Sequence, residues 1–146
     1  MQTLSKGDAK RWCQSQGARF DEQGFPKPKE RSKTFEIPED AGRRVALVAK
    51  HLKRFQLTGK VLVWYDDWGA WPSAQRMHIF ERFLASYGEK RPLAEIPAFL
   101  FSQGEHEDVV SFVTLGVLFL WDVRVVGMKA RRLAFYSHDE VGWIGK

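Results

Sequence analysis

"KVLVWYDDWGAWPS", Lys60 to Ser73, is the stretch on which the fold turns. Lys60 to Tyr65 is rich in β-branched and aromatic residues, which predicts a buried strand. Asp66 and Asp67 close that strand. Trp68 and Trp71 follow, and Ser73 predicts the cap of a helix. In an open α/β sheet, ligands bind just beyond the carboxyl end of such a strand. The stretch therefore predicts both a central strand and a candidate site.

Downstream, Met77, Phe80, Phe83, Leu84 and Tyr87 predict one apolar helix face ending at Gly88. "AFLFS", Ala98 to Ser102, predicts a second strand. Ser102 and Glu105 make a capping box for a helix reaching about Phe119. That helix is apolar almost all round, so it belongs at the centre, and Gly116 within it marks close packing. "DVRVVGM" and "RLAFYSH" predict two strands joined by a short basic turn containing Lys129, Arg131 and Arg132.

Upstream, Pro38 suits the opening of a helix over Glu39–Phe55. Ala41, Val45, Val48, Leu52 and Phe55 define its buried face, and Thr58-Gly59 ends it. Residues 18–37 form a loop or arm. "FPKPK" rules out a central strand there, leaving a short strand at Thr34–Ile37. Ser5 and Asp8 cap a first helix that stops at Gly17. The sum is an α/β, or α+β, fold with one domain over residues 1–146. It predicts a mixed sheet of four to five strands, about four helices, parallel strand–helix–strand units and a C-terminal antiparallel hairpin.

Composition narrows the function classes. With 44% hydrophobic residues the chain can build a core. Its single cysteine, Cys13, excludes an internal disulfide and a cysteine-cluster zinc site. "MQTLSKGDAK" lacks the apolar stretch of a secretory signal. The longest uncharged run, Val109 to Trp121, falls short of the ~18 residues of a membrane span. These features predict a cytoplasmic protein without a membrane partner. The net charge of +5 permits an acidic partner without requiring one.

Three surfaces carry candidate chemistry. In the first, Trp68 and Trp71 could anchor a protein partner beside Asp66 and Asp67. The competing structural account makes these tryptophans a lid on the sheet. A Gly-rich phosphate loop is absent, because "DDWGAWPS" supplies one glycine. The second is "FYSHDEVGW", Phe135 to Trp143, where Ser137, His138 and Asp139 are adjacent. Neighbouring strand residues point to opposite faces, so they do not converge as a triad. A turn with exposed charges is the simpler account, and the histidines show no His-x-x-x-His pair for a metal.

The third surface is the basic side of the Glu39–Phe55 helix. Arg43, Lys50 and Arg54 lie within about 40° of one another, flanked by Lys53, over roughly 16 Å. Lys27, Lys29, Arg31 and Lys33 could extend the row. Phosphate contact is the functional account, and a solvated helix face is the structural one.

If the strand beginning near Asp122 runs parallel to Lys60–Tyr65, then His138 and Asp139 fall away from Asp66. The basic turn then lies beside Asp66 and Asp67. On this basis the sequence predicts a bacterial-type, non-catalytic macromolecule-binding protein. Its partner is another protein held by Trp68, Trp71, Asp66 and Asp67, and it needs no cofactor or metal. One alternative is a nucleic-acid-binding protein using Arg43, Lys50, Lys53 and Arg54. The other is a metal-assisted hydrolase or nuclease using Asp66 and Asp67, or Asp122 with His138 and Asp139. An antidote to a basic nuclease toxin needs complementary negative charge, and the net positive charge weighs against it.

Overall fold

A computed structural model describes residues 1–28, 32–53, 55, 59–68 and 77–145. Its main sheet has seven strands rather than the expected four to five. Their order is β1 (Gln2–Leu4), β6 (Ala98–Phe101), β5 (Val61–Asp67), β7 (Asp122–Gly127), β8 (Leu133–Tyr136), β9 (Val141–Gly145) and β4 (Lys33–Glu36). A separate two-stranded ribbon joins β2 (Arg19–Phe20) to β3 (Pro26–Lys27) within the expected arm. Among the described residues the α-helices are α1 (Lys6–Ser15), α2 (Ala41–Leu52), α3 (Met77–Ser86) and α4 (His106–Leu118).

Every pairing in the sheet is antiparallel, which corrects the expected parallel units. After β5, the chain returns to the end it left. The Tyr65 N–H donates to the Pro97 carbonyl at 2.9 Å, so β6 starts beside the close of β5 and runs back along it. α4, roughly 20 Å long at 1.5 Å per residue, then carries the chain across again. β7 consequently points the same way as β6, but β5 lies between them. The strand–helix–strand pattern survives without any parallel ladder.

Both faces of β5 are covered, which explains its unbroken apolar run. On one face Val61, Val63 and Tyr65 join α2, α3 and α4 in the larger core. On the other, Leu62 and Trp64 pack with Ala9, Cys13 and Phe25 from α1 and the ribbon. An all-apolar strand is the usual mark of parallel sheets buried on both sides. Here an antiparallel sheet is buried in the same way, so the pattern misleads about strand direction.

Local signals fix the helix ends. Ser5 Oγ accepts from the Asp8 N–H, and Gly17 takes φ 74° just beyond α1. α2 opens later than the expected Glu39, at Ala41, where Asp40 caps it by accepting from the Arg43 N–H at 2.8 Å. The buried side of α2 is also rotated from expectation. Arg44, Val48 and Leu52 are buried, whereas Ala41 and Val45 are exposed. Arg44 lies inward because it is satisfied three ways. It pairs with Glu140 at 2.5 Å and donates to the carbonyls of Pro38 and Val117. Gly116 meets its expected role: a Cβ there would stand 2.8 Å from Tyr65 Cε1 and collide with Val123.

Register builds one cross-sheet row on the α1 face. Leu4, Ala98, Trp64, Arg124, Phe135, Trp143 and Thr34 face one another in turn across all seven strands. β1, β9 and the ribbon had no sequence forecast. The expected strand at Thr34–Ile37 is β4, shifted by one residue. No helix among the described residues is long and apolar enough to cross a membrane.

Candidate functional site: the acidic end of the sheet

Antiparallel pairing of β5 with β7 sets Asp67 opposite Asp122, past a bulge between Tyr65 and Asp67. The β8–β9 turn delivers His138 and Asp139 to that same end. This overturns the expected separation of Asp66 and Asp67 from His138. The basic turn moves correspondingly. Gly127 pairs with Val61, so Lys129, Arg131 and Arg132 lie at the opposite end of the sheet from Asp66 and Asp67. They cannot neutralise these carboxylates.

Two linked networks hold the acidic end. In the first, Arg124 Nε donates to Asp66 Oδ2 at 2.5 Å, and its Nη2 lies 3.4 Å from Asp21. The Arg124 guanidinium sits between the rings of Phe25 (5.0 Å) and Phe135 (4.4 Å). The Asp66 side chain is only 5% exposed, and its Oδ1 has no hydrogen-bond partner among the described residues. Burial pushes its carboxyl above the usual range. Arg124 opposes that rise, while Asp122 and Asp67 reinforce it.

In the second network, Asp122 Oδ1 accepts the backbone N–H of His138 and sits 2.8 Å from its Nδ1. Asp139 lies 3.5 Å from Nε2. Partial burial lowers the imidazole pKa, but the Asp122 hydrogen bond and the charges of Asp122, Asp139 and Asp67 outweigh it, so the net direction is upward. The surrounding carboxylates thus favour the protonated form of the ring. Ser137 does not complete a triad: both ring nitrogens of His138 face carboxylates, Asp122 and Asp139, and the Ser137 Oγ meets the Asp139 N–H. No group of three or more His, Cys, Asp or Glu among the described residues could hold a metal.

The sequence-predicted residues separate here. Asp67 and Trp68 are half-buried at the acidic end, and Trp68 packs against the main core. Asp66 is withdrawn from any partner by its pair with Arg124. Trp71, with Ser73, lies outside the described residues. Of the basic row, Arg43, Lys50 and Lys53 are exposed on α2, as expected, and Arg54, Lys29 and Arg31 lie outside the described residues.

Arg124 and Asp21 are the functional candidates that sequence reasoning passed over, and Asp122 entered it only in the metal-assisted alternative. The one available signal was a lone arginine in an otherwise apolar strand, "DVRVVG". A charge at such a position requires a buried counter-charge. No family model matches the chain, and neither does any curated protein or solved structure.

Proposed function

We propose that this chain is a non-catalytic macromolecule-binding protein whose partner is a protein with a cationic surface. The face-to-face placement of Asp67 and Asp122 carries this reading. Like charges directly opposite on a sheet destabilise it by up to ~1 kcal/mol. Here Asp21 and Asp66 both pair with Arg124, Asp122 and Asp139 both lie against the His138 ring, and Asp67 stands beside them. A partner bringing lysines or arginines would relieve the repulsion. The net charge of +5 does not describe this end, where Asp66, Asp67, Asp122 and Asp139 meet. The objection from net charge to an antidote for a cationic toxin therefore loses its force. The single buried thiol of Cys13 suits a reducing compartment such as the cytoplasm.

A second reading rests on its own observation. Lys60 and Lys129 are exposed at the opposite end of the sheet, and Lys53 is exposed just past α2. Together with Arg43 and Lys50 they would contact phosphates of a nucleic acid. Exposed lysines cost the fold little, so their clustering demands a partner less than the acidic end does.

Fluorescence anisotropy separates the two. An arginine-rich peptide and a DNA duplex are titrated at matched ionic strength. Peptide binding that falls with salt, and weakens at least tenfold in Asp67→Asn/Asp139→Asn, supports the protein reading. Tighter DNA binding, lost in Lys50→Glu/Lys53→Glu, supports the second. Failure of both probes removes the binding reading altogether.

A further inference from the structure

β4 is an edge strand with a free side. The Ser137 N–H donates to the Val141 carbonyl, and the Ile37 N–H donates to the Glu140 carbonyl. This phase turns the backbone groups of Gly142 toward Phe35, and those of Val141 and Trp143 toward β8. Thr34 and Glu36 therefore point their N–H and C=O groups away from β9. No hydrogen bond engages those groups among the described residues.

A groove of about 510 Å³ lies alongside, on the α1 face. Trp143, Phe135, Val141, Thr34 and Glu36 line it. Val141 is 51% exposed, an unusual state for an aliphatic strand residue beside two half-buried rings. Glu36 is the one charged residue in the lining among the described residues, and it is negative. The adjoining surface already accepts a cation, since the guanidinium of Arg124 lies 4.4 Å from the centre of Phe135.

We propose that the groove and the free edge of β4 together receive an extended segment of a partner protein carrying arginine or lysine at alternate positions. The inference rests on the cationic-partner reading and states how such a partner would be held. The added strand would hydrogen-bond Thr34 and Glu36. Its neighbouring cationic side chain would cross β4 to meet Glu36 and the face of Trp143. That crossing is about two strand spacings, each ~4.8 Å. Lys33 and Glu36 keep the edge from pairing with any apolar strand, so charge matching selects the occupant. A second copy of the chain is the poorer occupant. Its own β4 would bring Thr34 and Glu36 to this face, and a second carboxylate would enter the groove instead of a cation.

The test uses an acetylated, amidated peptide of alternating arginine and threonine, with a glutamate-for-arginine control. Binding is followed by amide exchange and by tryptophan emission. Slowed exchange at Thr34 and Glu36, with no binding of the control, supports the proposal. Thr34→Pro should weaken binding at least tenfold, because it removes an outward donor and spares the β4–β9 ladder. Retained contacts between Phe35 and Gly142 would show that β4 is still folded. Glu36→Gln should weaken binding severalfold.

Wild-type affinity in Thr34→Pro, or protection of neither amide, overturns the proposal. Perturbation confined to Asp67 and Asp139 would leave the acidic-end reading standing and remove this one. Protection at Thr34 and Glu36 that survives Asp67→Asn/Asp139→Asn would do the reverse. Protection of both amides without peptide, in a dimer, would name a second copy as the occupant and overturn the proposal.

Discussion

Asp67 stands opposite Asp122 across the β5–β7 pair, at the end of the sheet where β5 closes and β7 begins. Among the described residues, neither belongs to a group that could hold a metal. Asp122 holds the His138 ring, which sits in a turn, and Asp66 beside them holds Arg124 from the middle of a strand.

Arg124 is the buried hinge of that arrangement. Arg124→Met would leave Asp66, only 5% exposed, without its cation. Breaking a buried pair in this way costs about 3–5 kcal/mol. Urea denaturation should show that loss. Adding Asp66→Asn to Arg124→Met should recover part of it, as a double-mutant cycle would record.

Stability should fall as pH rises through neutrality. His138 binds its proton more tightly in the fold than in the unfolded chain. Its contribution is thus fully present below its ordinary value of 6.5 and is lost as pH climbs through the raised folded value. Asp66 acts in the same direction at lower pH, with its contribution present below 3.8 and lost as the carboxyl ionises. Urea midpoints at about pH 6 and about pH 8 measure the first effect. Asp122→Asn should flatten it.

Gly116→Ala should destabilise the protein despite alanine's better helix propensity. The added methyl meets Tyr65 and Val123 on packed strands that cannot withdraw independently. Overpacking costs about 1–3 kcal/mol, against a helix gain of about 1 kcal/mol. Thermal denaturation would register the net loss.

Arg44→Ala should cost about 2 kcal/mol, through the orphaned carbonyls of Pro38 and Val117 more than through Glu140. Glu140 is 41% exposed and can return to water. Glu140→Gln should accordingly cost much less than Arg44→Ala in the same denaturation assay.

The one-dimensional pattern determined the elements whose causes are local. The Ser5 cap, the apolar run from Val61 to Tyr65, the stop at Gly17 and the tight contact at Gly116 each depend on neighbours within a few residues or on a side chain's size. Exposure of Arg43, Lys50 and Lys53 followed from helical spacing in the same way. Tertiary structure alone decided strand direction. A helix between two strands has the same periodicity whether they end up adjacent or with β5 inserted between them. Because direction sets which strand ends meet, it also decided that Asp66, Asp67, Asp122 and His138 share one end while Lys129 and Arg131 occupy the other. The burial of Arg44 was hidden for a related reason: its partners, Val117 and Glu140, are far away in sequence, and only the folded chain brings them within reach.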